Sequence, residues 1–152
     1  MTLDPTDIQL LDALQQDAQL TTQELGERLS LSSSQAARRR QRLEAAGYVR
    51  HYTARLSPAK LGLDVQAFIQ VQMASQLPEK ARDFVRLIGT RREVVSAWTL
   101  TGQADYLLRV FTPDLARLNM LIHDVILPHG AVARVESQIV MDQPKPDAGL
   151  PL

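Results

Sequence analysis

The sequence predicts an α+β chain: three helices within the first sixty residues, then a β-α-β-β-α-β succession. Three observations carry this reading. Apolar residues recur at helical spacing as far as Ala46. From Val65 onward the period drops to two, and strand-like runs then alternate with helical ones. Charge is also segregated along the chain. The 17 Lys+Arg balance the 17 Asp+Glu overall, yet Ser32–Lys60 holds Arg38, Arg39, Arg40, Arg42, Arg50, Arg55 and Lys60 against Glu44 alone. Residues 1–31 reverse the sign, with six acidic residues against Arg28. A phosphate backbone responds to local charge, so the basic stretch is a candidate nucleic-acid surface, and a solvated helix face is the alternative.

Composition excludes several classes. At 152 residues, 45% hydrophobic and 22% charged, the chain has the make-up of a globular protein. With no cysteine it can form neither disulfides nor a cysteine zinc site. No apolar run approaches the roughly 20 residues that span a bilayer. The start, Met1-Thr2-Leu3-Asp4-Pro5, lacks the basic-then-apolar order of a signal peptide, so a cytoplasmic location is expected. His51, His123 and His129 lack metal-ligand spacing, and neither a metal nor a cofactor is expected.

Asp4-Pro5 opens the first helix, with Asp4 as cap and proline at a position where its missing N–H costs nothing. Ile8, Leu11 and Leu14, with Leu10, form its apolar face. Thr21-Thr22-Gln23-Glu24 fits a capping box for the second helix, whose inner stripe is Leu25 and Leu29. Ser30-Leu31-Ser32 makes a short turn, and a third helix runs from about Ser33 to Ala46, stopped by Gly47. Ala36, Leu43 and Arg40 face inward there; Ser34, Gln35, Arg38, Arg39 and Arg42 face outward. Two helices joined by a tight turn, the second basic and outward-facing, make a helix-turn-helix. Short polar residues at the helix start, Ser33, Ser34 and Gln35, would allow close approach to a major groove, while the arginines reach phosphates or guanine edges. Tyr48–Leu56 alternates β-favouring residues and predicts a short wing or linker strand.

The second half predicts a strand over Val65–Met73, alternating with Gln66, Phe68, Gln70 and Gln72. Pro78 opens a helix with Ala81, Phe84, Val85 and Ile88 on one face. Strands at Val94–Leu100 and Asp105–Thr112 flank a Thr101-Gly102-Gln103-Ala104 turn. Pro113-Asp114 opens another helix, with Leu115, Leu118, Leu121, Ile122 and Val125 at helical spacing, and Ala131–Met141 is the last strand. This order is the ferredoxin-like arrangement. Two helices cover one sheet face; the other needs a partner, and a second subunit supplies it most simply. Trp98 is read as an interface or core residue. The expected domains are 1–63, 64–142 and an irregular, proline-containing tail, 143–152.

Taken together, these motifs resemble the Lrp/AsnC, or feast/famine, transcription regulators. The likeness spans about residues 3–142. It rests on Leu3-Asp4-x-x-Asp7, Glu24-Leu25, Leu31-Ser32, Arg39-x-x-Arg42-Leu43-Glu44-x-x-Gly47, Tyr52-Thr53-Ala54 and Thr101-Gly102-x-x-Asp105-Tyr106-Leu107-Leu108. None is unique alone; in this order and spacing they are specific. The resemblance implies an N-terminal winged helix-turn-helix followed by a ferredoxin-like βαββαβ ligand-sensing domain. It also implies homodimers that often assemble into octamers, and an amino acid or related metabolite that tunes assembly or DNA affinity. It implies an effector site between dimers, to which Gly102, Asp105 and Ser137 correspond, with Val135 in place of a second hydroxyl. Arg40 stands at a usually apolar position; its stem is expected to pack and its charge to reach an acidic residue of the first helix.

The expected DNA-binding residues are therefore Ser33, Ser34, Gln35, Arg38, Arg39 and Arg42, with bridging to an acidic residue the alternative for Arg39. The expected partners are double-stranded DNA, a small effector and further copies of the chain. Two other functions fit the same fold: a haem-pathway decarboxylase-like enzyme, for which no nucleophile-plus-base set is present, and an effector-independent DNA-wrapping protein.

Overall fold

A computed structural model describes residues 2–75 and 77–152. The chain divides into two compact units. One holds the residues up to Arg55 together with Lys145–Leu152, and the other holds Leu56–Pro144.

In the first unit, helices α1 (Pro5–Gln16), α2 (Thr22–Leu29) and α3 (Ser33–Ala45) each open on a reciprocal capping box. Asp4 accepts from the Asp7 N–H at 2.8 Å and Asp7 accepts from the Asp4 N–H at 3.2 Å. Thr21 and Glu24 do the same for α2, and Ser32 and Gln35 for α3. Each box satisfies two backbone donors that a helix start otherwise leaves to water. Leu10, Leu11, Ala13, Leu14, Leu20, Leu25, Ala36 and Leu43 form the core. Leu10, fully buried, fills the inward position on α1, and Ile8 stays 38% exposed. Gly26 on α2 lies against the turn into α3. A Cβ there would stand 2.7 Å from the Leu31 carbonyl oxygen, a contact no side chain can make.

The wing strand is not formed. Among the described residues, the segment from Tyr48 to Leu56 pairs with no strand, and residues 51–57 have no regular structure. A strand needs a ladder partner, whatever its propensity, and Tyr52 and Arg55 are instead drawn to other groups described below.

In the second unit, β1 (Val65–Met73), β2 (Val94–Thr99), β3 (Tyr106–Thr112) and β4 (Val132–Ile139) form one sheet in the order β2-β3-β1-β4. Every neighbouring pair is antiparallel. Helix α4 (Pro78–Gly89) and helix α5 (Leu115–Met120), which continues as a π-helical segment Leu121–Ile126, cover one face. Ala67, Ile69, Val71, Phe84, Ile88, Tyr106, Leu108, Val110, Leu118, Leu121 and Ile126 fill the space between. Val85 and Leu115, expected inside, are 50% and 58% exposed. Phe84 with Ile88, and Leu118 with Leu121, take the inward positions on these helices. The opposite face carries Gln66, Phe68, Gln70 and Gln72 of β1, Trp98 of β2, Leu107, Arg109 and Phe111 of β3, and Arg134 and Glu136 of β4. No helix of the described residues is long and apolar enough to cross a membrane.

Candidate functional site

Helix α3 presents its first turn to solvent. Ser33, Ser34 and Gln35 are exposed, and the Ser32 cap holds the helix start in place through the Gln35 N–H at 3.2 Å. The carboxamide oxygen of Gln35 is committed to this cap, accepting from the Ser32 N–H at 3.0 Å and from its hydroxyl at 3.1 Å. Arg38 is exposed, and it makes no hydrogen bond or ion pair among the described residues. With Leu31, Gln35, Arg39 and Arg42 it lines an open groove of ≈ 320 Å³ along the helix.

Arg39 and Arg42 are tied differently. Asp7 of α1, 1% exposed, accepts from Arg39 Nη1 at 2.7 Å and from Arg42 Nη2 at 2.6 and 2.7 Å. Arg39 Nη1 also reaches Asp4 at 2.6 Å. Burial pushes the Asp7 carboxyl up, but the hydrogen bonds from Arg39, the Asp4 N–H and Arg42 outweigh it and hold the group below the usual carboxylate range. Asp4 is held low chiefly by Arg39 and then by the Asp7 N–H. A buried carboxylate met by two guanidiniums fixes the pose of α3 on α1. Arg39 is thus the structural bridge that was its alternative reading, and Arg42 joins it. Both side chains keep an outward edge, at 28% and 46% exposure.

Arg40 does not reach the first helix; it points to the other side of α3, towards Glu44 and Leu20. Its Nε meets Glu44 at 2.9 Å, its Nη1 donates to the Leu20 carbonyl at 2.9 Å, and its guanidinium lies 5.2 Å from the Tyr52 ring centre. The Tyr52 hydroxyl donates to Glu44 at 2.6 Å. Tyr52 and then Arg40 hold the Glu44 carboxyl low, while burial and then the hydrogen bond to Glu44 push the Tyr52 phenol up. This cluster anchors the segment after α3 and uses the aromatic residue that the expected wing would have needed.

In the sheet unit, Gly102 has φ +114°, a backbone conformation that favours glycine and opens the turn before β3. Asp105 follows it, half-buried. Its Oδ2 accepts from the Met73 N–H at 2.7 Å, and its own N–H donates to the Val71 carbonyl at 2.9 Å. One carboxylate oxygen is therefore engaged in seating the turn. Beside it Gln103 and Ala104 meet Gln70, Gln72, Arg134 and Glu136 at a small cleft of ≈ 30 Å³ on the uncovered sheet face. Arg134 and Glu136 pair at 2.5 Å. Ser137 does not converge on this cleft within one chain. Its partner in the ladder is the buried Ile69, so it belongs to the helix-covered face, where it is exposed at the sheet edge. Sequence reasoning missed the four side chains Gln70, Gln72, Arg134 and Glu136. The period-two run of glutamines sets Gln70 and Gln72 on one side of β1, but an ordinary solvent-facing strand shows the same alternation.

A family model described as the Lrp/AsnC ligand-binding domain matches residues 66–150, and a winged helix-turn-helix DNA-binding model matches residues 3–50. The chain belongs to the Lrp/AsnC family. Like its relatives, this Lrp/AsnC protein is a transcriptional regulator, with a DNA-binding helix-turn-helix and a ligand-binding domain. It is 32% identical over 150 residues to the DNA-binding transcriptional activator DecR of Escherichia coli K12, covering 99% of each chain. It is 29% identical to the transcriptional regulator AzlB of Bacillus subtilis, covering 99% of this chain and 96% of that one. A Neisseria meningitidis transcriptional regulator solved as an L-Met complex matches with TM-score 0.94 and 40% identity, covering 99% of this chain and 97% of the other.

Proposed function

We propose that the protein is a sequence-specific DNA-binding regulator whose assembly or DNA affinity is tuned by an amino acid or related small metabolite. The observation that carries the first half is the exposed, firmly capped start of α3, with Arg38 unengaged beside Ser33, Ser34 and Gln35. These four are the direct readers of the duplex. Arg39 and Arg42 set the pose of the helix through Asp7 and offer their outer edges to phosphate. The second half is supported by the Gly102–Asp105 turn beside its polar cleft, and by the L-Met complex of the Neisseria relative. A ligand ammonium would be met by Glu136 or by the free oxygen of Asp105, and its carboxylate by Arg134 or the backbone N–H groups near Gly102. Ser137 could contribute only from another copy.

The uncovered sheet face closes, on this reading, against a second copy in a homodimer, with higher assembly up to an octamer built from such pairs. The dimer would set two α3 helices about 34 Å apart, one in each of two successive major grooves. The test has two arms. Binding to DNA from upstream of its own gene should weaken steeply with salt, and a flat response or no binding at low salt overturns the regulator reading. Thermal stabilisation across the twenty amino acids, L-methionine first, should single out one or a few. No stabilisation by any of them overturns the amino-acid reading and favours the effector-independent wrapping protein.

A further inference from the structure

Residues after β4 do not simply trail away. Leu150 lies on α1, 135 positions distant in sequence from Gln15, and the Gln15 side chain bonds both backbone polar groups of Leu150. The Gln15 carboxamide oxygen accepts from the Leu150 N–H at 2.6 Å, and its Nε2 donates to the Leu150 carbonyl at 3.1 Å. Arg55 donates through Nη1 to the Asp147 carbonyl. Gln16 and Asp12, themselves bonded at 2.9 Å, complete the wall of the surrounding groove. A primary amide that satisfies the N–H and C=O of a single residue acts as one rung of a β-ladder, so it needs an extended strand and ignores that residue's side chain. Leu150 accordingly leaves its own side chain 74% exposed.

The local sequence suits this use. Gly149 passes so near Gln15 that a Cβ there would stand 2.9 Å from the Gln15 Cδ and 3.2 Å from its Cβ. Pro151 biases Leu150 towards the extended conformation that the amide reads. Pro144 and Pro146 stiffen the approach and lower the entropy lost on docking.

We infer that the Gln15–Arg55 face of the DNA-binding unit is a peptide-binding surface that reads backbone, and that its occupant is this chain's own segment Asp147–Leu150. The occupied surface gives the DNA-binding unit a second peptide connection to the sheet unit, at residues 144–145 in addition to 55–56. The test is amide hydrogen exchange on the full-length protein at several concentrations, with Gln15→Ala and Gly149→Val as variants. Both positions are exposed or irregular, and alanine is a good helix former, so both chains should fold, as an unchanged far-UV spectrum would verify. In the parent protein the Leu150 N–H should exchange at least tenfold more slowly than in the free peptide of residues 143–152, independently of concentration. Each variant should return it to the peptide's rate. Parent exchange at the free-peptide rate, or protection that survives Gln15→Ala, overturns the inference. Protection that rises with protein concentration also overturns it, by assigning the surface to a second copy's segment.

Discussion

Removing the charge of Asp7 should loosen α3 without touching the sheet unit. Asp7→Asn keeps the shape but presents an NH2 group where Arg39 and Arg42 now donate at 2.6 to 2.7 Å. Hydrogen bonds to a charged group contribute about 1.5–3 kcal/mol each, and breaking a fully buried pair costs about 3–5 kcal/mol. Here the two guanidiniums are 28% and 46% exposed and can turn to water, so the lower part of that range applies. A loss of about 2–3 kcal/mol follows, which for a unit of this size lowers the melting temperature by about 10–20 °C. The assay needs two probes. Amide exchange in α1 and α3 reports the DNA-binding unit, while fluorescence of Trp98, the single tryptophan, reports the sheet unit. Protection in α1 and α3 should fall while the Trp98 transition stays in place. A variant whose exchange in α1 and α3 stays within about 0.5 kcal/mol of the parent would refute the anchoring role, since that is the scatter of a neutral surface change.

Other outcomes follow from the same geometry. Because the Asp4 and Asp7 carboxyls sit below their ordinary value of 3.8, the unfolded chain takes up these protons first on acidification; the network's stabilisation is full above that value and is lost as pH falls through the lower folded values, which exchange in α1 between pH 6 and 2 will register. Arg38→Ala should weaken promoter binding roughly tenfold and reduce the salt slope by about one if the contact is to phosphate, or relax choice at one base pair if it is to a base edge, measured by titration at several salt concentrations. Gly102→Ala places a side chain at φ +114° and should abolish stabilisation by the effector while the α3 half still binds DNA, read by thermal shift and gel mobility in parallel. Trp98→Arg on the uncovered sheet face should shift sedimentation towards the monomer, and an unchanged assembly would place the dimer contact elsewhere.

Much of the fold was legible because it depends on local spacing. The period-two run of Val65–Met73 faces the way its parity dictates, with Ala67, Ile69 and Val71 buried and Gln70 and Gln72 turned outward. The Asp4 and Thr21 caps were equally local, each set by a polar side chain three residues ahead of its partner. What escaped depends on how elements meet. Which of four neighbouring arginines finds Asp7 is decided by the crossing of α3 on α1, and a rotation of one residue separates Arg39 from Arg40. Ser137 was placed by position along the last strand, but the side it takes is fixed by register against Ile69, which no single strand reveals. The wing strand is absent for a similar reason: β-propensity describes Tyr48–Leu56 well, but a strand also needs a ladder partner, and among the described residues this segment has none.

Gly26 shows how little room separates a working reading head from a displaced one. In a regular helix its backbone needs no special freedom; what it provides is the absence of a single carbon, 2.7 Å from the Leu31 oxygen. Any larger residue would have to lift the turn, and α3 hangs from that turn by the Ser32 cap. A methyl group added on the inner side of α2 would therefore tilt the outer helix as a lever tilts its far arm. Through that pivot, DNA choice could be altered or lost by a substitution that never comes near a base.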